Sequence, residues 1–406
     1  MQLKLNKILT HIEEGIIYNM AIGHSASVVA SDLVFYYDML NPKSWLGAPT
    51  TNRCSANTIH TNWNNSGTAT WINDDPYIPR LYPDIITVSM TKDTVGNSHI
   101  ALGYATLAAN TVYTVSVHVY IPSNTTTLAS SQPYIRPFPG NFNAANLEYN
   151  GSSDWNIWPK DRWIRISKTF TNSATDTEMY ISCYLDNAGS KIAFTAPMVE
   201  ANSFATPYTP VSTSRSNTQV ITDLMNRRTI TATNLTYNSN NTFSFNGSTN
   251  NIVTNSFTSS LDFTISIWVR MTSGLVAQQR LVSSDSAGTF TIYWSGSDFG
   301  FHYNPLDASP PSTATAATGL SYSINSWYNL TATNNATAGT RFYVNGVLRA
   351  VGETSVPLAG NITFGSDRTN SLHAAAQIPV ALIYNRVLTA DEVNKNFNAL
   401  RGRYSV

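Results

Sequence analysis

Charge is what this sequence has least of. Only 12% of its 406 residues are Asp, Glu, Lys or Arg, and 24 basic residues cancel 24 acidic ones, where a soluble domain ordinarily carries about a quarter charged residues. A chain so neutral builds no field to draw in nucleic acid or an anionic membrane, so neutral surfaces are the expected partners. Cysteine is almost missing. Cys54 and Cys183 are the only two, which excludes a disulfide framework and leaves two alternatives: the pair is bridged, or both pack as small buried thiols. No run of eighteen apolar residues occurs, so membrane insertion by a helix is not expected. Near the start, Glu13 and Glu14 interrupt the apolar stretch that follows Lys4 and Lys7. A secretory signal needs that stretch unbroken, so a chain made without one is expected.

Catalytic groupings are missing as well. A glycosidase needs two carboxylates facing one sugar, yet Glu148, Glu178, Glu200, Glu353 and Glu392 stand alone in the chain. The seven His residues form no H-x-x-x-H or H-E-x-x-H grouping, and neither a G-x-S-x-G elbow nor a phosphate loop is present. The segment SSDSAGTF (283–290) has the look of a sialidase Asp-box turn, but its spacing is off by one residue and it occurs once, so it reads as a plain turn. A non-enzymatic protein is expected.

Asn, Thr and Ser replace the missing charge, in runs such as TNWNNSGTATW (61–71), NLTYNSNNTFSFNGSTNN (234–251) and TATNNATAGT (331–340). These residues suit turns and the open faces of strands and are poor in helix interiors. The composition reads as all-β, and the length fits two compact domains plus an extension. In residues 1–31, Leu5, Ile8, Leu9, Ile12, Ile16 and Ile17 recur at mostly three-and-four spacing, the stripe of an amphipathic helix. Its own domains or a neighbouring subunit must cover that stripe, and an assembly arm is the expectation.

Strict alternation runs through NTVYTVSVHVYI (110–121), with Tyr113, Val115, Val117, Val119 and Ile121 on one face and Thr114, Ser116, His118 and Tyr120 on the other. DRWIRISKTFT (161–171) and TEMYISCYLDN (177–187) repeat the pattern, the second presenting Tyr180, Ser182 and Tyr184. Together with the phrase FTAPMVEANSFATPY (194–208), this order is similar to carbohydrate-binding-module jelly rolls, over about residues 100–208.

From residue 242 a second pattern emerges. TFSFNGSTNNIV, LDFTISIWVRM, SWYNLTATNN, TRFYVNGVLRA, GNITFGSD and IPVALIYNRVLTADEVNKNFNALRGRY follow one another in an order that resembles laminin-G-like, concanavalin-like sandwiches. Asn345-Gly346 supplies the two positive-φ residues of a tight hairpin. Thr389-x-x-Glu392 is a capping box, and the helix behind it carries Val393, Phe397 and Leu400 toward the sandwich. An opening phrase, SDLVFYYDMLNPKS (31–44), is separated from its usual continuation, ITDLMNRR (221–228), by the jelly-roll stretch. The expected architecture is therefore two β-sandwich (jelly-roll) domains, with a helical arm at residues 1–31 and a short C-terminal helix. The laminin-G-like domain would be split between 32–52 and 217–406, its first strand at 32–38, with the jelly roll 53–216 inserted in a loop.

The closing phrase, the N-P-K-S opening and the lack of a signal resemble structural proteins of tailed bacteriophages. That resemblance implies a virion-surface protein, a capsid decoration or head fibre. It would be homo-oligomeric, held to other virion proteins through its arm, and turned toward a glycan of the host cell surface. The alternatives are a tail-fibre or baseplate adhesin, a secreted glycan-binding adhesin, and a capsule-degrading depolymerase.

Neutral glycans are held by stacking on rings and by hydrogen bonds to amides and hydroxyls. The candidates for such contacts are Trp155 and Trp158 in one loop, His118, Tyr120, Tyr180 and Tyr184 on the jelly roll's outward face, and Tyr293, Trp294 and Tyr303 in the laminin-G-like domain. The competing reading is that these rings pack on the other domain or on a neighbouring subunit. Trp268 and Trp327 sit where core is expected. No cofactor or metal site is assigned, although the laminin-G-like resemblance implies that Asp285, Asp298 or Asp367 could hold calcium at the sandwich rim.

Overall fold

The computed structural model describes residues 27–54, 69–93, 98–125, 135–138, 147–154, 156–172, 178–185, 188–210, 212–238, 242–274, 278–284, 289–304, 314–352, 355, 357–367 and 369–406. The proposed helix around Leu5–Ile17 lies outside them. Two compact units make up the chain: Gly47–Val220 forms one, and the residues up to Leu46 join Ile221–Asn238 and Thr242–Val406 in the other.

In the second of these units, one sheet runs in the order Thr236–Tyr237, Phe243–Asn246, Ala375–Tyr384, Phe263–Met271, Trp327–Asn335, Gly339–Val344, Val347–Gly352, with Leu33–Asp38 pairing antiparallel along Ala375–Tyr384. The other runs Ile230–Thr233, Asn251–Thr254, Ile362–Phe364, Gln279–Ser284, Thr289–Trp294, Phe299–Asn304, Ala314–Ala317. Rings meet between the sheets: Phe35 stacks on Phe364 at 6.0 Å, Tyr37 meets Phe364 edge-on at 5.6 Å, and Phe263 meets Phe290 edge-on at 5.2 Å. Such edge and offset contacts suit the ring quadrupole and fill a sandwich core.

The first sheet is covered on its outer face too. Trp268, Val380, Leu382 and Tyr384 share a buried cluster with Val393, Phe397 and Leu400 of the helix Ala390–Leu400, and Trp268 stacks 4.3 Å from Tyr404 just beyond it. A strand covered on both faces loses its alternation. This is why Phe263–Met271 is buried at every position except Arg270. The helix starts as expected: the Thr389 hydroxyl accepts from the Glu392 amide at 3.3 Å, and the Glu392 carboxylate accepts from the Thr389 amide at 2.9 Å. Asn345 and Gly346 have φ of 51° and 76°, so the hairpin turn is also as read.

Residues 27–31, assigned to the arm, instead dock on this unit. Val29 is buried in the helix cluster, its amide donates to Asn396 Oδ1 at 2.7 Å, and its carbonyl accepts from the Tyr384 hydroxyl at 2.9 Å. Asn396 Nδ2 closes the ring by donating to the same hydroxyl at 2.9 Å.

The Gly47–Val220 unit has a five-stranded sheet in the order Ala69–Asn73, Val88–Lys92, Lys191–Glu200, Val112–Tyr120, Trp163–Thr171, and a three-stranded one in the order Ser98–Thr106, Glu178–Leu185, Ile135–Phe138. Tyr113, Val115, Val117, Val119 and Ile121 enter its core, as the alternation requires, with Ile164, Ile166, Ile192, Phe194 and Met179. Cys54 belongs to the same core as a free thiol, its pKa pushed up to about 12 by burial. The side chain of Cys183 lies outside the described residues.

Candidate glycan-contact site

The polar face of the five-stranded sheet is assembled by register. His118 lies opposite Arg165 on one side and Thr195 on the other, and Tyr120 lies opposite Trp163 and Ala193. Alternation alone would leave this face in solvent. Two of the unit's own loops cover much of it instead, so Thr114, Ser116 and Tyr120 are buried.

One loop is tied down by Glu200. Its carboxylate is fully buried and takes four donors: the Thr50 hydroxyl at 2.9 Å, Asn202 Nδ2 at 2.9 Å, and the Thr206 amide and hydroxyl at 2.8 and 2.7 Å. Paired this way, a buried charge needs no cation. The other loop is stitched by Asp74, whose carboxylate accepts from the Thr87 amide at 3.1 Å and meets Arg80 at 2.8 Å. It is also held where the Thr195 hydroxyl donates to the Ile86 carbonyl at 3.2 Å.

Tyr82 and Tyr208 come from these two loops and meet over His118. Tyr82 stands edge-on to the imidazole at 5.6 Å and lies 5.2 Å from the Tyr208 ring. Arg165 donates to the Thr206 carbonyl and, at 2.7 Å, to the Ser116 hydroxyl, which sets its positive charge beside the imidazole. Burial and that charge pull the His118 pKa down to about 3. The imidazole is therefore neutral at physiological pH, and its Nδ1 meets no hydrogen-bond partner among the described residues. Trp163 extends the group, with its indole nitrogen donating to the Pro79 carbonyl at 2.6 Å and its ring 5.6 Å from Tyr120. Tyr82, His118, Trp163, Arg165 and Tyr208 are each half-buried, but His118 Nδ1, Arg165 Nε and the Tyr208 hydroxyl are themselves buried. What this surface offers a sugar is chiefly partly exposed ring for stacking.

Several residues expected at a glycan site belong elsewhere. Trp158 is 2% exposed, packs in the core and donates its indole N–H to the Ser152 carbonyl at 3.0 Å. Tyr120 is buried against Ile78, Ala193 and Trp163. In the other unit, Trp294 is fully buried against Phe299 at 4.7 Å, and Tyr293 lies flat over Gly300, where an added Cβ would sit 2.5 Å from its ring. Each of these four is a packing residue. Trp155 lies outside the described residues. Tyr180, Tyr184 and Tyr303 occupy strands whose backbones pair as expected, but their side chains lie outside the described set.

Sequence reasoning missed Tyr82, Trp163 and Tyr208. Tyr82 sits in the proline-punctuated loop YIPRLYPD, Tyr208 in the T-P-Y exit, and Trp163 on the polar register of its strand.

The rim carboxylates Asp367 and Asp298 are occupied by hydroxyl and amide donors of their own unit. Asp367 accepts from the Thr369 amide and hydroxyl at 3.0 and 2.9 Å and from the Ser371 amide and hydroxyl, both at 2.7 Å. Asp298 accepts from the Thr318 hydroxyl and, at 2.9 Å, the Gly319 amide. Among the described residues no group of three or more His, Cys, Asp or Glu could hold a metal ion. Asp285 lies outside them.

A comparison with curated proteins finds no match. Among solved structures, the chain is similar to the binding domain of botulinum neurotoxin serotype D at 15% identity and a TM-score of 0.35, over 45% of this chain and 49% of that one. It is similar to the serotype G binding domain at 19% identity and 0.37, over 44% and 48%. A type C structure, described by dependence of cell entry on two ganglioside molecules, matches at 18% identity and 0.35, over 46% and 50%. The chain spans about half the length of these structures, and overlap this low carries no inference about ligand. Residues 245–394 match the Laminin_G_3 family of the concanavalin A-like lectin/glucanases superfamily, and the fold they carry is the concanavalin-like sandwich.

Proposed function

We propose that this chain is a non-enzymatic, glycan-binding structural protein of a tailed-bacteriophage virion, a capsid decoration or head fibre. Residues 1–26 would anchor it to other virion proteins, and it would be arrayed as a homo-oligomer on the particle surface. The observation that carries the glycan reading is the half-buried ring group Tyr82, His118, Trp163 and Tyr208, in a chain that also holds a lectin-family sandwich. Support for binding without cleavage comes from the acids. Glu148 pairs with Lys168, Glu200 is consumed by four donors, and Glu392 serves a helix cap and Arg386. The virion placement rests on the closing phrase and the N-P-K-S opening. A stacked ring contributes about 0.5–1.5 kcal/mol beyond its buried area, so one site binds weakly and an array of copies makes attachment useful.

The test incubates purified protein with immobilised host-surface polysaccharide. Retention that Tyr82→Ala weakens, that survives EDTA, and that leaves the polymer's length unchanged is the expected result. Shortening of the polymer would overturn the non-enzymatic reading, and equal retention of the variant would overturn the site. Antibody labelling of phage particles should mark the heads. Label on the tails instead would make the protein a tail-fibre or baseplate adhesin.

A further inference from the structure

We infer that Asn150 is a spontaneous modification site, converted to Asp and isoAsp through a cyclic imide with Gly151. The chain contains three Asn-Gly pairs, Asn150-Gly151, Asn246-Gly247 and Asn345-Gly346. In each, the glycine leaves the following amide nitrogen sterically open to the asparagine carboxamide. Whether that nitrogen attacks depends on whether the side chain and the turn are free to rotate into line.

Two of the three pairs are locked. Asn246 Oδ1 accepts from the Ser248 and Thr249 amides at 2.9 and 3.0 Å, its Nδ2 donates to the Thr249 hydroxyl at 3.1 Å, and the attacking nitrogen, Gly247 N, is engaged by the Ala374 carbonyl at 3.1 Å. Asn345 Oδ1 accepts from the Asn329 amide at 2.8 Å, and the Asn345 amide donates to the Asn329 carbonyl at 2.8 Å. Gly346 is also hemmed in, since a Cβ there would lie 3.3 Å from both Asn394 and Phe397.

Asn150 is different. Both it and Gly151 are exposed, with φ of 49° and 79°, and nothing lies within 4 Å of where a Gly151 Cβ would be. Its carboxamide makes no hydrogen bond among the described residues. Only two main-chain bonds close the turn, Tyr149 N to Ser152 O at 2.9 Å and Ser152 N to Tyr149 O at 3.0 Å. Fraying them lets Asn150 leave the left-handed region and bring its Cγ to the Gly151 nitrogen.

The chemistry needs only water. Gly151 N loses its proton and bonds to Asn150 Cγ, and the Cγ–Nδ2 bond breaks to release ammonia. Water then opens the imide at either carbonyl, giving Asp or isoAsp. The product adds a negative charge to the turn, and isoAsp adds one main-chain carbon. Both changes fall beside the Ser152 carbonyl that holds the Trp158 indole.

Peptide mass mapping of the full chain, aged for weeks in mildly alkaline buffer, tests this. The Asn150 peptide should gain about 1 Da, an oxygen replacing an NH group, and should do so about tenfold faster than the Asn246 and Asn345 peptides. The gain should carry methylatable isoAsp, and Gly151→Ala should slow it. Asn150→Gln, whose longer side chain does not close the five-membered imide, should abolish it in that peptide. Equal rates at the three pairs, an unchanged Asn150 peptide, or a rate indifferent to Gly151→Ala would each overturn the assignment.

Discussion

Tyr82 and Tyr208 sit in loops with no periodicity, and only the fold brings them together over His118. Replacing either with Ala should weaken glycan retention two- to tenfold per copy, the equivalent of about 0.5–1.5 kcal/mol, with little change in thermal midpoint. Trp158→Ala should behave in the opposite way. It empties a core position and should cost about 3–5 kcal/mol of stability in denaturant titration. Retention lost with Trp158→Ala at undiminished stability would show that the indole faces ligand after all. His118 carries a pH signature. Its native pKa of about 3 lies below the ordinary 6.5, so an unfolded chain takes up this proton first as pH falls. Its contribution favours folding above pH 6.5 and is lost between 6.5 and 3. A His118→Leu variant should lose less stability than the parent over that window, and parallel curves would refute the assignment. Alternation in 110–121 told which face each residue takes. That a loop more than thirty residues away would cover Tyr120 has no signal in the strand itself.

The C-terminal helix shows how much a single element declares in advance. Its cap, its buried face of Val393, Phe397 and Leu400, and the Asn345-Gly346 turn all follow from local rules and all appear in the structure. Asn396 is the exception: a polar residue on the apolar face, 2% exposed, three residues from Val393 and one from Phe397. A polar group in such a place needs buried partners, and these are Val29, 367 residues away in sequence, and Tyr384, on the strand before the helix. Asn396→Leu keeps the volume but leaves the Val29 amide without its acceptor, at a cost of about 1–3 kcal/mol. Amide hydrogen exchange at Val29 should then speed up while the helix interior stays protected. Unchanged exchange would mean that the clamp does not hold the segment. By contrast, the covering of Phe263–Met271 on both faces was only half legible, because an apolar run does not say what lies on either side.

At the scale of the molecule, one unit is interrupted in sequence by the whole of the other, and its own contacts explain how it closes. Trp45 and Ile221 form an antiparallel bridge, and the Thr222 amide donates to the Ser44 carbonyl at 2.7 Å. The next residue, Asp223, is fully buried and accepts four main-chain amides at 3.0 Å, from Tyr36, Met225, Arg227 and Arg228. It therefore ties the strand Leu33–Asp38 to the returning chain, and it is the Asp of the ITDLMNRR phrase that the sequence sets apart from its opening. Because Trp45 and Ile221 are bridged, the segment between them spans a gap that a few residues can close, and loop closure costs only about 0.6 kcal/mol per doubling of length. Replacing residues 47–220 with a short Gly/Ser linker should therefore leave a folded sandwich with a cooperative thermal transition and an ordered near-ultraviolet spectrum. Adding Asp223→Ala to that shortened chain should unfold it or lower its midpoint sharply, since four amides would lose their shared, buried acceptor. A molten product from the deletion alone would mean that the laminin-G-like unit depends on the inserted residues and is not a self-contained fold.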